Sequence, residues 1–161
     1  MRQVKSMGGL VWSAVLLTAT VGCGPAPVTL DRLPLPPFAV EGKYNGSYET
    51  RVGLAIMGAR NQLEPSYGPL DVGDFALMDE GKGWNDIEVF YSQPALQKAL
   101  ADAGFVRQNL TSGRPGRSQL AVWTRKRTFG KDELLAALYV PGNPDDPLNF
   151  MLRIHAPAPK R

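Results

Sequence analysis

Cysteine occurs once in the 161 residues, at Cys23, and histidine once, at His155. A single cysteine excludes an intramolecular disulfide and leaves no thiolate set for zinc or an iron–sulfur cluster. Any histidine-based triad or metal site must use His155, near the C-terminus, on the side of its strand that the alternation assigns to solvent; it reads as a surface histidine. No glycine-rich phosphate loop joins a strand to a helix, so metal and nucleotide chemistry are disfavoured and no cofactor is implied. The apolar run within Met7–Val21 falls short of the roughly 20 residues that a membrane-spanning helix needs. Acidic residues are scarce in the second half, with 10 basic and 4 acidic from Phe105 to Arg161 against 6 and 11 from Gly24 to Gly104. A pI of 9.1 would suit nucleic acid, but Arg2 and Lys5 fall in a segment expected to be removed, which leaves a net charge of +1.

That N-terminal segment has a definite order. Arg2 and Lys5 make a positive beginning, and Leu10, Val11, Trp12, Val15, Leu16 and Leu17 supply the apolar centre of a secretory signal. At its end Thr20-Val21-Gly22-Cys23 resembles the lipobox of the bacterial lipoprotein class, although Thr20 stands where leucine is commonest. The resemblance covers Met1–Cys23 and implies removal of residues 1–22, acylation of Cys23 and a lipid bilayer as partner. It further implies a lipid-anchored protein of the bacterial cell envelope. Gly24 after the cysteine resembles the outer-membrane rather than the inner-membrane sorting pattern, facing the periplasm.

Residues 23–37 then form a tether, because Pro25, Pro27, Pro34, Pro36 and Pro37 forbid helix and favour extended backbone. A single α+β domain is expected over 38–157, followed by a tail at 158–161. Phe38, Val40 and Tyr44, then Tyr48, Thr50, Val52, Leu54 and Ile56, alternate about Asn45–Ser47 and predict a hairpin. Asn61–Gly73 reads as a long connection, and Ile87, Val89 and Tyr91 as a strand. Leu96, Ala99, Leu100 and Ala103 recur at helical spacing and predict a packed helix over about 94–103, stopped by Gly104 with Phe105 folded back towards Leu100. Two further hairpins follow, 105–111 with 118–129 and 134–140 with 148–155, although 134–138 reads equally as helix. In the last strand Leu148, Phe150, Leu152 and Ile154 should face the core and Asn149, Met151, Arg153 and His155 should point away. The fold class is α+β, a mostly antiparallel sheet of hairpins with at least one packed helix.

The best binding candidate is Trp123 with Arg125 and Arg127, since alternate residues on a strand share a face; Arg107, Arg114 and Arg117 lie across the hairpin. Such a basic-aromatic face suits an envelope protein or cell-wall partner rather than nucleic acid, given the export signal. Charges that guard an edge strand are the plainer reading of the same row. Asp79, Glu80, Asp86 and Glu88 form the densest acidic patch and would serve a small envelope hydrolase if two carboxylates faced each other across a cleft. Asn143, Asp145 and Asp146 stand between Pro144 and Pro147 and read as a turn rather than a calcium loop. The reading preferred on these grounds is a non-enzymatic, membrane-anchored binding or assembly module. A hydrolase and a secreted protein without lipid, its Asn45 and Asn109 then in glycosylation sequons, are the alternatives.

Overall fold

Val52, Ala55, Ala59 and Leu63 recur at intervals of three and four and form the buried side of a helix, α1 (Glu49–Tyr67). The computed structural model describes residues 32–42, 49–109 and 117–157. The signal segment, Cys23, the tether up to residue 31, the turn residues Asn45–Ser47, Arg114 and the tail 158–161 lie outside the described residues. Helix α1 corrects two expectations, the strand through Tyr48–Ile56 and the long connection over Asn61–Gly73. The apparent alternation arose because Leu54, on the outer side of α1, is apolar although exposed and falls between Val52 and Ile56. Helix α1 ends where Gly68 takes a φ of 89° and donates its N–H to the Glu64 carbonyl, with Pro69 next in the chain.

The other elements are β1 (Ala39–Glu41), β2 (Asp71–Met78), α2 (Trp84–Tyr91), α3 (Pro94–Asp102), β3 (Val106–Gln108), β4 (Gln119–Arg125), β5 (Glu133–Val140) and β6 (Phe150–Ala156). All six strands join one sheet in the order β1-β2-β6-β5-β4-β3, and every neighbouring pair is antiparallel. The expected α+β class with a mostly antiparallel sheet is therefore what the chain forms. Helices α2 and α3 carry the chain from β2 to the far edge, and β3, β4, β5 and β6 return by successive antiparallel pairing to close beside β2. Both edge strands have only three residues, which leaves little unpaired backbone for another chain to add to.

Helices cover both faces, and the parity of β5 shows it. Leu134, Ala136, Leu138 and Val140 join the core under α1, with Phe150, Leu152 and Ile154 of β6. Leu135, Ala137 and Tyr139 join the core under α2 and α3, with Trp123, Met151, Ile87, Tyr91, Leu96 and Leu100. A strand buried on both sides reads as a continuous apolar run, which is why Leu134–Leu138 was ambiguous in sequence. The odd-numbered side of β6 is corrected accordingly: Met151 is fully buried, and Arg153 and His155 are half-buried.

Ile87 and Tyr91 are one helical turn apart on α2 and fully buried, while Val89 faces solvent, so this segment is a helix and not the expected strand. The packed helix expected over about 94–103 is α3. Pro94 opens it, and at its end Gly104 takes a φ of 82° while the Phe105 N–H donates to the Leu100 carbonyl at 2.9 Å. The folded part begins before the expected start at Phe38. Leu33 is in the core under α2 and α3, its carbonyl accepts from Arg153 Nη1 at 3.1 Å, and the Pro34 carbonyl accepts from the Tyr91 hydroxyl at 2.8 Å. Burial pushes the Tyr91 phenol far above its ordinary value, so it stays a neutral donor. Among the described residues no helix is long and apolar enough to cross a membrane.

Candidate functional site

Arg107 pairs with Trp123 across the β3–β4 ladder, and both face α2. Trp123 is 1% exposed and packs against Tyr91 with ring centroids 5.2 Å apart. The Arg107 guanidinium lies 4.8 Å from the Trp123 centroid, and its Nη2 stands 2.7 and 2.8 Å from the two carboxylate oxygens of Glu88 on α2. Trp123 is thus interior, roofed by an arginine, rather than displayed on an outer face. Its Nε1 is buried with no hydrogen-bond partner among the described residues.

Arg125 closes the next layer of the same row. Its guanidinium covers the Phe105 ring at 4.7 Å, its Nη1 donates to the Ala103 carbonyl at the end of α3, and its Nε donates to Glu133 at 2.6 Å. Glu133, across the ladder from Arg125, also takes Arg127, so one nearly buried carboxylate holds two guanidinium groups. Arg127 is not on β4, which stops at Arg125, but in the turn 126–132 between β4 and β5. The structure therefore brings Trp123, Arg107 and Arg125 onto one face and engages their charges with Glu88 and Glu133. Arg117 is exposed just ahead of β4.

What stays exposed is the tip of that turn. Phe129 is 88% exposed, with Lys126, Arg127 and Lys131 around it. The turn has internal ties: the Arg127 N–H donates to Asp132 Oδ1 at 3.2 Å, and Lys126 Nζ lies 3.3 Å from Asp132 Oδ2. Sequence reasoning ran the strand on through Phe129 and so missed the tip. The adjacent Thr128, Gly130 and Asp132 are the turn signals that would have ended the strand earlier.

A groove of about 590 Å³ opens at the opposite end of the sheet, beside the turn joining β5 to β6. Arg51 of α1 lines it, and this arginine had no counterpart among the sequence candidates. Its Nη1 donates to the Pro141 carbonyl at 2.7 Å and its Nη2 to Asp146 Oδ2 at 2.9 Å and the Leu148 carbonyl at 3.1 Å. Asn143 and Asp146 form a bridge whose backbone bonds close the turn, as the flanking prolines predicted. Arg51 fills the anionic side of that turn, so Asp146 is an anchor for α1 rather than a calcium ligand. Among the described residues no group of three His, Cys, Asp or Glu side chains is placed to hold a metal ion.

The acidic patch is dispersed. Asp86 and Glu88 are two residues apart on α2, and residues at that spacing do not face each other. Asp86 turns back to the start of α2, where its oxygens accept from Lys82 Nζ at 2.8 Å and the Gly83 N–H at 3.0 Å. The Lys82 ammonium first, and the Gly83 N–H next, hold its carboxyl below the usual carboxylate value. Glu88 goes to Arg107, and Asp79 and Glu80 are exposed in the turn before α2. His155 lies between Leu135 and Asp71 on the neighbouring strands.

Comparison with protein-family models, with curated proteins and with solved structures finds no match to this chain. The functional reading rests on the residues themselves.

Proposed function

We propose that the chain is a lipoprotein of the bacterial cell envelope, held at a bilayer by acylated Cys23 after removal of residues 1–22, and that its domain is a non-enzymatic binding or assembly module. The observation that carries this reading is the succession of Arg2 and Lys5, the apolar stretch, and Thr20-Val21-Gly22-Cys23. Each buried methylene adds about 0.8 kcal/mol, so the two or three chains that such a site implies would hold the protein stably. Since the chain is already packed at Leu33, the spacer shortens to Gly24–Arg32. At about 3.1 Å per residue it gives the domain a reach of roughly 30 Å from the lipid surface. Outer-membrane attachment facing the periplasm follows from Gly24 after the cysteine. A binding role is favoured over hydrolysis because Asp86 and Glu88 are engaged with Lys82 and Arg107 and diverge on α2. The partner proposed alongside the bilayer is an envelope protein or cell-wall component.

Palmitate labelling of the wild type and of Cys23→Ser in a bacterial host tests the anchor. Label is expected on the wild type and lost from the variant, which should also leave the membrane fraction. Equal labelling of the two would reject the reading.

A further inference from the structure

We infer that the β4–β5 turn is a second membrane contact, with Phe129 entering the interfacial region of an anionic bilayer while Lys126, Arg127 and Lys131 meet its headgroups. The inference rests on the anchored reading above and adds an orientation to it. Its first ground is composition at one place: Phe129, the most exposed of the large hydrophobic side chains among the described residues, stands among three exposed cations. Aromatic rings favour the bilayer interface, and basic residues beside them are attracted by anionic lipid. The two acidic residues of the segment, Asp132 and Glu133, lie at the β5 side of the tip, engaged with Lys126, Arg125 and Arg127. Lys131 Nζ lies 3.4 and 3.3 Å from the Glu64 and Pro65 carbonyls at the end of α1, so all three cations are exposed yet tied, and the segment Arg125–Glu133 keeps four basic residues against two acidic ones.

The second ground is where the chain enters the fold. Ala39 pairs with Met78, whose N–H donates to the Asn149 carbonyl, at the end of the sheet remote from the turn. Traced back from Ala39, the chain reaches Leu33 at Arg153, on the way to the end where Ala156 pairs with Leu134. That is the end that carries the β4–β5 turn. Arg153 pairs with Ala137, midway along β5, so by Leu33 the chain has come from the remote end to the middle of the sheet, and the spacer's reach of roughly 30 Å is enough to bring Cys23 to the turn's side. A third ground is stiffness: the bonds from Asp132 and Glu133 to the turn hold its shape before contact, so little ordering is needed on docking.

The test uses the protein made from the full chain in a bacterial host and carrying Phe129→Trp, with the wild type as background, whose tryptophans are Trp84 and Trp123, and Trp12 wherever residues 1–22 are retained. Both are mixed with vesicles of brominated phosphatidylcholine alone or with phosphatidylglycerol in equal part, and bromine quenching is read together with flotation. On the anionic vesicles the tryptophan introduced by Phe129→Trp should be quenched well beyond the wild type. Adding Lys126→Glu should weaken that binding roughly tenfold, as should molar salt in the unaltered turn. Flotation on phosphatidylcholine alone reads the lipid anchor separately. Flotation on both vesicles with no extra quenching overturns the docking and leaves the anchor standing. Quenching on anionic vesicles with no flotation on phosphatidylcholine supports the docking and sinks the anchor. An introduced tryptophan that stays unquenched everywhere overturns the docking whatever the anchor does, and leaves the basic tip to an acidic protein surface.

Discussion

Arg107 roofs Trp123: the guanidinium sits 4.8 Å above the indole centroid and is held there by Glu88, which α2 brings across from the opposite layer. An arginine that would otherwise be a free surface charge thereby closes the core between β4 and α2. The pair explains how a basic-aromatic row can be legible in sequence yet be a packing device. Its energetic content is modest, because Arg107 and Glu88 are both partly exposed and solvent screens them.

Arg107→Ala should therefore destabilise the domain by about 1–2 kcal/mol, the sum of a screened ion pair, a cation–π contact and the apolar stem that covers Trp123. Glu88→Gln should cost about 0.5 kcal/mol, and the double variant less than the sum, since each single change leaves the other partner unmatched. Urea unfolding midpoints of the four proteins measure this. Strict additivity would mean that the two side chains act independently.

Glycines of opposite consequence lie in α1 and after β5. A methyl group built on Gly53 or Gly58 meets nothing within 4 Å, so each is a helix-weakening residue with room for alanine. Gly53→Ala and Gly58→Ala should each stabilise by about 0.5–1 kcal/mol and raise the melting temperature by a few degrees. On Gly142 the same methyl would fall 2.4 Å from the Pro147 carbonyl oxygen and 2.9 Å from its Cα, so backbone must move. The Gly142 N–H also donates to Asn149 Oδ1 at 2.7 Å. Gly142→Ala should cost about 2 kcal/mol or more. Calorimetric melting of the three variants gives the test, and a loss of stability at Gly53 or Gly58 would point to a neighbour that the isolated chain does not supply.

Legibility in the sequence followed how many faces of each segment are covered. Helix α3 was readable because Leu96 and Leu100 are buried among polar neighbours, and Pro94 and Gly104 mark its ends. The pairing of β3 with β4 was readable from alternation and turn residues, and that of β5 with β6 from its proline-rich turn and the alternation of β6, while β5 itself, buried at every position, read equally as helix. Helix α1 was not readable, because apolar Leu54 on its outer side falls between Val52 and Ile56 to imitate a strand, and Gly53 and Gly58 lower its helix propensity. Helix α2 failed for the same reason at Val89. The face of β6 assigned to solvent was misplaced because two helical layers, rather than one, cover the sheet. At the candidate site, sequence spacing put Trp123, Arg125 and Arg127 on one strand face; Trp123 and Arg125 do share a side of β4, with Arg107 across the ladder, whereas Arg127 lies beyond the strand in the turn. Spacing had no access to Glu88 and Glu133, which reach that face from α2 and β5 and decide what the arginines do.

Asp86 gives the domain a pH dependence whose sign is fixed by geometry. Its carboxylate is favoured in the folded state by Lys82 and by the Gly83 N–H at the start of α2, so its folded value lies below the ordinary 3.8. A depressed acid contributes stability that is fully present above its unfolded value and is lost as the pH falls through the folded one. Asp86→Asn keeps an oxygen for the Gly83 N–H but removes the charge, so it should be less stable than the wild type at neutral pH. The gap should narrow once the pH falls below 3.8 and close as it passes the lower folded value, where the carboxyl is as neutral as the amide. Lys82→Met should reproduce most of the neutral-pH loss and leave Asp86→Asn with little further effect in the double variant, because the ammonium is the largest source of the shift. Urea midpoints followed from neutral to acid pH read all three proteins. A gap between the wild type and Asp86→Asn that stays constant across that range would show that the carboxylate's charge does not stabilise the start of α2.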